Sequence, residues 1–246
     1  MCYDAYMHIL NSSIIKDDAG GNFLRTSLLI ATIILAFCSI VYELLIGQTL
    51  SAFLGNTILR YSITIGLYMF SMGIGAYLAE GKYMDEPAKT LILAELALTI
   101  FGGGVVVFLF LVDAIGAAPV LFSLIAHSLI VIIGILTGFE IPLLIALANK
   151  SSGKASENKI IAVDYLGAFA GALAFAFYFY PTMGLVQTSF VVGLLNATVG
   201  FIISFLYPEK IHTALRSALA LSIVFLLLGV VLADDINSYM LELYLS

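Results

Sequence analysis

Charge is scarce in this 246-residue chain. Charged side chains make up 11% of it, with 10 lysines and arginines against 16 aspartates and glutamates. So few cations form no basic patch, which excludes nucleic acid as a partner. Cysteine is rarer still. Cys2 lies near the terminus and Cys38 inside an apolar run, so neither a disulfide framework nor a metal-ligand cluster is available. Cys38 reads as a small packing residue. No Gly-rich phosphate or dinucleotide loop follows a strand pattern, no HExxH is present, and no Ser-His or Cys-His pairing is suggested. The motifs therefore name no catalytic residue, no metal site and no cofactor. The first 25 residues are too polar for a signal peptide, and residues 1–26 are expected to stay attached as a short cytoplasmic segment.

What is present is apolar surface. Hydrophobic residues make up 62% of the chain and the mean hydropathy is +1.10, well above the roughly 45–50% apolar share of soluble domains. A helix needs ~20 mostly apolar residues to cross the ~30 Å hydrocarbon layer, and such stretches recur between short charged or Gly/Pro breaks. A β-barrel needs ~10-residue alternating segments, whereas residues 105–112 and 222–232 are apolar at nearly every position. The fold class is all-α, a polytopic membrane helical bundle of about seven transmembrane helices. They are placed at 27–47, 58–79, 90–112, 119–148, 160–180, 185–207 and 214–233, within one membrane domain of 27–233. Pro142 is a place for the long fourth helix to kink. The turn at 181–184 predicts antiparallel neighbours in the fifth and sixth helices.

Orientation follows from lysine and arginine, which favour cytoplasmic loops. Lys16, Arg25, Lys82, Lys89, Lys150, Lys154, Lys159, Lys210 and Arg216 fall on one side, and Arg60 on the other. The N-terminus is placed in the cytoplasm of a cell with this chain in its plasma (inner) membrane. An odd number of spans puts the tail, 234–246, outside.

Four acids interrupt the apolar runs: Glu43, Glu95, Glu140 and Asp164. An intramembrane charge costs ~2.5–3.5 kcal/mol even on lenient insertion scales, so such residues face the bundle interior, a cavity or a partner. Glu140, Asp164 and Glu95 fall toward the cytoplasmic side and form a candidate cation or proton site. Against this stands the plainer reading of helix-end acids that snorkel or accept local hydrogen bonds, with the helix dipole favouring Asp164. Glu43 and Arg60 form a candidate structural ion pair, with an outward gate or anion site as the functional alternative. Gly134 with Gly138, and Gly167 with Gly171, recur at the spacing that lets membrane helices approach closely. His127 stands alone, which favours a packing histidine over a metal ligand.

Three blocks carry a resemblance. They are VYELLIGQTLSAFLGNTILRYSITIGLYMFSMGIGAYLA at 41–79, GFEIPLL at 138–144, and VDYLGAFAG at 163–171 continuing to PTMGL at 181–185. In this order they resemble the N-terminal membrane domain of membrane-anchored spermidine synthase-like proteins, in which helices precede a polyamine aminopropyltransferase domain. The resemblance implies a fold of membrane helices and a soluble partner domain or subunit that moves an aminopropyl group from decarboxylated S-adenosylmethionine to putrescine. The family motifs fall on Glu43, Glu140 and Asp164. The Gly-rich strand–turn–helix and amine-holding acids of the soluble domain have no counterpart here, so the chain is not expected to be catalytic alone.

Three functions stay open: a membrane domain that anchors and handles polyamines or another cation, a small secondary transporter using intramembrane carboxylates, and a structural subunit of a larger membrane complex or oligomer. The expected partners are the lipid bilayer, a soluble aminopropyltransferase domain, and a polyamine or cation.

Overall fold

The computed structural model describes residues 2–152, 157–208 and 211–245, with side chains for 21–150, 157–208 and 211–239. Lys154 and Lys210 lie outside the described residues. Among these residues every regular element is helical: α1 (Cys2–Leu54), α2 (Thr57–Leu78), a 3-10 turn (Gly81–Met84), α3 (Pro87–Ala114), α4 (Pro119–Gly138), α5 (Glu140–Ser152), α6 (Glu157–Ala174), a π turn (Phe175–Phe179), α7 (Tyr180–Leu206), α8 (Thr213–Val231) and α9 (Ala233–Leu245).

Local chemistry accounts for the breaks. α1 runs past the expected end at 47 because its polar residues are satisfied: Thr49 Oγ1 donates to the Leu45 carbonyl at 2.7 Å. It stops where Gly55 and Asn56 both take positive φ, and the Asn56 side chain caps α2 by accepting from the Leu59 N–H at 3.3 Å. Pro87 and Pro119 open α3 and α4, where a missing N–H costs nothing. Pro142 cannot donate to the Gly138 carbonyl, and the expected fourth helix breaks there into α4 and α5. At the break Phe139 N–H turns back to the Leu136 carbonyl at 3.1 Å.

Among the described residues, six stretches are long and apolar enough to cross a membrane: Gly21–Leu54, Thr57–Leu78, Pro87–Ala114, Pro119–Lys150, Glu157–Leu206 and Thr213–Val231. The fifth is a double stretch. At Gly184 the backbone takes φ 68° and ψ −168°, a conformation essentially reserved for glycine, and the chain reverses. Pairings on either side show the reversal. Gly167 meets Ile33 and Ala36 while Gly171 meets Phe37 and Ile40, so α6 runs parallel to α1. Tyr180, just before the reversal, still reaches Gln48 near the end of α1, and beyond it Val192 meets Cys38, so the chain past Gly184 runs antiparallel to α1. By the same logic α2 and α4 are parallel, with Gly134 on Tyr68 and Ser71 and Gly138 on Met72, and α7 is antiparallel to both α3 and α8. The directions alternate through seven segments.

One expectation is corrected. The fifth and sixth predicted helices, here α6 and α7, are antiparallel but not neighbours. α6 packs on α1, whereas α7 packs on α3, α8 and the other side of α1. The turn at 181–184 only joins them, and burial decides their placement: the small-residue face of α6 fits α1. α1 is central: the most apolar part of its stretch is 56% buried, as is that of Glu157–Leu206, against 22% for α2 and 17% for α8. Large apolar side chains such as Phe70, Phe169, Leu221 and Phe225 point outward from the rim.

Two kinds of glycine should respond oppositely to alanine. Gly138→Ala drives a methyl group into the Met72 backbone, and Gly184→Ala forces a strained φ. Each is expected to cost about 1–3 kcal/mol. Gly73 and Gly104 face open space in helix interiors, so alanine there should be neutral or stabilising by up to ~1 kcal/mol. Thermal unfolding in detergent checks both; equal losses at all four positions would refute the packing described.

Candidate functional site

α1, α2, α4, α5 and α6 line a half-open cavity of about 80 Å³ near the middle of α2 and of the apolar part of α1, with Ser39, Glu43, Tyr68, Met72, Glu140 and Asp164 among its walls. The break at Pro142 makes Glu140 the first residue of α5, where the positive end of the helix dipole favours a carboxylate. Ser39 Oγ donates to its two oxygens at 3.1 and 3.3 Å. Ser39 is held in turn: Tyr68 Oη donates to its carbonyl at 3.0 Å and lies 2.9 Å from Thr137 Oγ1. Glu140 is 3% exposed.

Glu43 sits one turn beyond Ser39 on the same face of α1 and is 7% exposed, with no hydrogen-bond or ion-pair partner among the described residues. Asp164, part-buried, comes from α6. No lysine, arginine or histidine lines the cavity. Nor are the three carboxylates clustered as ligands of one metal ion: no such group of His, Cys, Asp or Glu occurs among the described residues. Three acids spread around a cavity with apolar walls (Ile40, Met72, Ile141) suit a cation whose charge sits on an aliphatic body.

The remaining expected residues are distributed as follows. Glu140 and Asp164 share the cavity, whereas Glu95 does not line it. Glu95 is fully buried between α3 and α7, where Asn196 Nδ2 donates to its backbone carbonyl at 3.0 Å and Gly200 packs against its Cβ. No ion pair joins Glu43 and Arg60: across the antiparallel α1–α2 seam Gly47 stands against Tyr61 and Ser39 against Tyr68, which sets Glu43 about a turn deeper than Arg60. Gly134 and Gly138 seat α4 on α2, and Gly167 and Gly171 seat α6 on α1. His127 Nδ1 donates to the Ser123 carbonyl at 2.5 Å within its own helix.

Sequence reasoning missed the hydroxyls. Ser39, Tyr68 and Thr137 orient Glu140, and their signal was available in the helical spacing of Ser39 with Glu43 and Thr137 with Glu140. It also missed a polar link toward the α1–α2 turn, where Tyr61 Oη donates to Gln48 Oε1 and Gln48 Nε2 to Tyr180 Oη, each at 2.8 Å. At the other end a pocket of about 320 Å³ mixes both signs, with Asp85, Glu86, Lys89 and Lys150 on its wall. There Lys89 pairs with Glu86 at 3.0 Å.

Fold and site define an all-helical bundle with an apolar rim and carboxylates held at mid-depth. Comparison with known proteins narrows this. Over 174 residues, 70% of this chain, it is 37% identical to polyamine aminopropyltransferase 2 of Ralstonia nicotianae, covering 34% of that protein. It is 34% identical over 88% of its length to the polyamine aminopropyltransferase of Leptospira interrogans, covering 43% of it. It is 32% identical over 89% of its length to polyamine aminopropyltransferase 1 of Streptomyces coelicolor, covering 41% of it. The homologues are thus polyamine aminopropyltransferases, and the chain spans about a third to two fifths of their length. No protein-family model and no solved structure matches the chain.

Accessibility separates the acids. In a background lacking Cys2 and Cys38, Asp164→Cys should react with N-ethylmaleimide in the folded protein, while Glu95→Cys should stay unreacted until denaturation. Mass spectrometry of the labelled protein reads this directly, and equal reactivity at both positions would contradict the burial described.

Proposed function

We propose that this chain is the membrane-embedded domain of a polyamine aminopropyltransferase-like protein, and that its acid-lined cavity receives a primary or secondary amine cation such as a polyamine. The segments cross the inner membrane seven times, with the N-terminus cytoplasmic and the end of α8 outside. The bilayer covers the apolar rim, which in water would be an exposed patch far larger than soluble proteins carry. Aminopropyl transfer belongs in this reading to a soluble domain or subunit, and the membrane domain anchors it and handles the amine.

One observation carries the reading. Glu43, Glu140 and Asp164, from three separate helices, line one cavity that offers no cation of its own. Buried carboxylates are costly without a partner, and an ammonium donating to them supplies one in charge-assisted hydrogen bonds. A similarity to aminopropyltransferases over 70–89% of the chain points to the amines those proteins are named for. The position of the cavity, near the middle of α2 and of the apolar part of α1, also favours a second reading, a small transporter whose substrate binds near the bilayer midplane.

The test is equilibrium binding of putrescine and spermidine to the purified chain in nanodiscs. Saturable binding is expected, weakened about tenfold or more by Glu140→Gln and by Asp164→Asn. Absence of binding at millimolar amine would reject the amine-handling role and leave an anchor. Transport of labelled amine into proteoliposomes separates the second reading from the first.

A further inference from the structure

Glu95 is a buried acid that the amine cavity does not use. It is 0% exposed, and neither carboxylate oxygen has a hydrogen-bond partner of good geometry, although the Asn196 amide stands beside the carboxyl group. Two other buried oxygens in the same α1–α3–α7 junction are also unpartnered: Asn196 Oδ1, on the side chain that donates to the Glu95 carbonyl, and Tyr42 Oη. Tyr42 crosses α3 at Gly102, where a Cβ would stand 2.7 Å from its ring, and Thr99 lies between that crossing and Glu95. Native proteins leave very few buried polar atoms unpaired, since each costs ~1–3 kcal/mol.

The chemistry of these four atoms is one-sided. With Glu95 ionised, three are acceptors only, and the fourth, a phenol, has a single proton to give. Water in their midst would leave the charge of Glu95 uncompensated in an apolar core. No basic side chain compensates it either: Arg216, on the adjacent α8, donates to the Ser204 carbonyl at 2.7 Å and lies over the Phe205 ring at 4.8 Å. An organic cation is too large, because the junction is closed by glycine contacts, Gly103 on Gly193 and Gly200 against Glu95, where an added Cβ would meet its neighbour at about 3.0–3.2 Å.

We propose that the α1–α3–α7 junction binds one monovalent metal ion of sodium size, ligated by the Glu95 carboxylate, Asn196 Oδ1 and Tyr42 Oη. The all-oxygen donor set selects a hard cation. A single carboxylate balances one charge, and a divalent ion would bury an excess of one. Glu95 does not line the amine cavity, although its charge and that of Glu140 act on each other.

The experiment is thermal unfolding of the purified chain in detergent, in choline chloride with increasing NaCl at constant ionic strength. A ligand that binds only the folded state stabilises it by mass action, so saturating sodium should raise Tm by about 5 °C or more. Glu95→Gln should abolish the shift. Tyr42→Phe keeps the ring on Gly102 and removes one ligand oxygen, so it should raise the half-saturating sodium concentration several-fold even if Glu95→Gln does not fold. Glu140→Gln removes a charge that acts on Glu95 but no ligand of the ion, so it should change the half-saturating sodium concentration less than Tyr42→Phe does. A wild-type protein with no sodium-specific shift, or a shift that survives both Glu95→Gln and Tyr42→Phe, would overturn the proposal in favour of a protonated Glu95 donating to Asn196 Oδ1.

Discussion

The approach of helix backbones at glycine governs where the acids of this bundle stand. On the proposed membrane reading there is little hydrophobic gain when lipid-facing helices associate, so close van der Waals contact must hold them together. On α6, Gly167 and Gly171 lie on the α1 backbone, and on α4, Gly134 and Gly138 lie on α2. Asp164 is one turn before Gly167, and Glu140 follows Gly138 by two residues. The seams therefore bring these carboxylates to the edges of the closest contacts. Replacing a seam glycine with a larger residue would push α6 or α4 outward and separate the acids, whatever their own side chains did.

The acids differ in how their burial is offset. Glu140 has the Ser39 hydroxyl and the start of α5, so much of what it needs is supplied by the fold. Glu43 and Asp164 have no comparable donors beside them. At ~2.5–3.5 kcal/mol for an acid in mid-membrane on the lenient scale, two such groups are a large fraction of the ~5–15 kcal/mol net stability usual for a folded protein. A fold can carry that burden where something outside it supplies the missing positive charge. On the proposed reading, an amine in the cavity would do so with several N–H donors at once.

Much of the scaffold was legible in the amino-acid sequence. Segment number, the break near Pro142, the reversal before Gly184 and the small-residue faces all follow from local chemistry that acts within a few residues. Partner choice was not. The spacing of 181–184 fixed a reversal, but α1 competes for the same face of α6 and wins because Ile33, Ala36 and Phe37 present backbone and small groups to Gly167 and Gly171. The same limitation separates the acids. Glu95, Glu140 and Asp164 fall at similar heights along the chain's alternation, but height says nothing about rotation around the helix axis. Asn196, a lone amide in an apolar run, was the signal that Glu95 had its own partner. Charge complementarity suggested Glu43 with Arg60, whereas the antiparallel register of α1 on α2 sets them about a turn apart.

Rotation also explains how two acidic environments coexist in one small bundle. Successive residues of a helix point about 100° apart. On α1, Ser39 and Glu43 lie one turn apart and face the cavity, while Cys38 and Tyr42, each one residue earlier, face α3 and α7, where Cys38 Sγ donates to the Val192 carbonyl at 3.7 Å. A single helix thus carries two polar ladders on adjacent faces and forms the wall between them. The cavity side is spread and lined by aliphatic groups; the α3–α7 side is narrowed by the Gly103–Gly193 and Gly200–Glu95 contacts. Shape, more than charge, then decides what each face accepts, because both present carboxylates. On the two proposals, an extended cation belongs to the first face and an atom-sized one to the second.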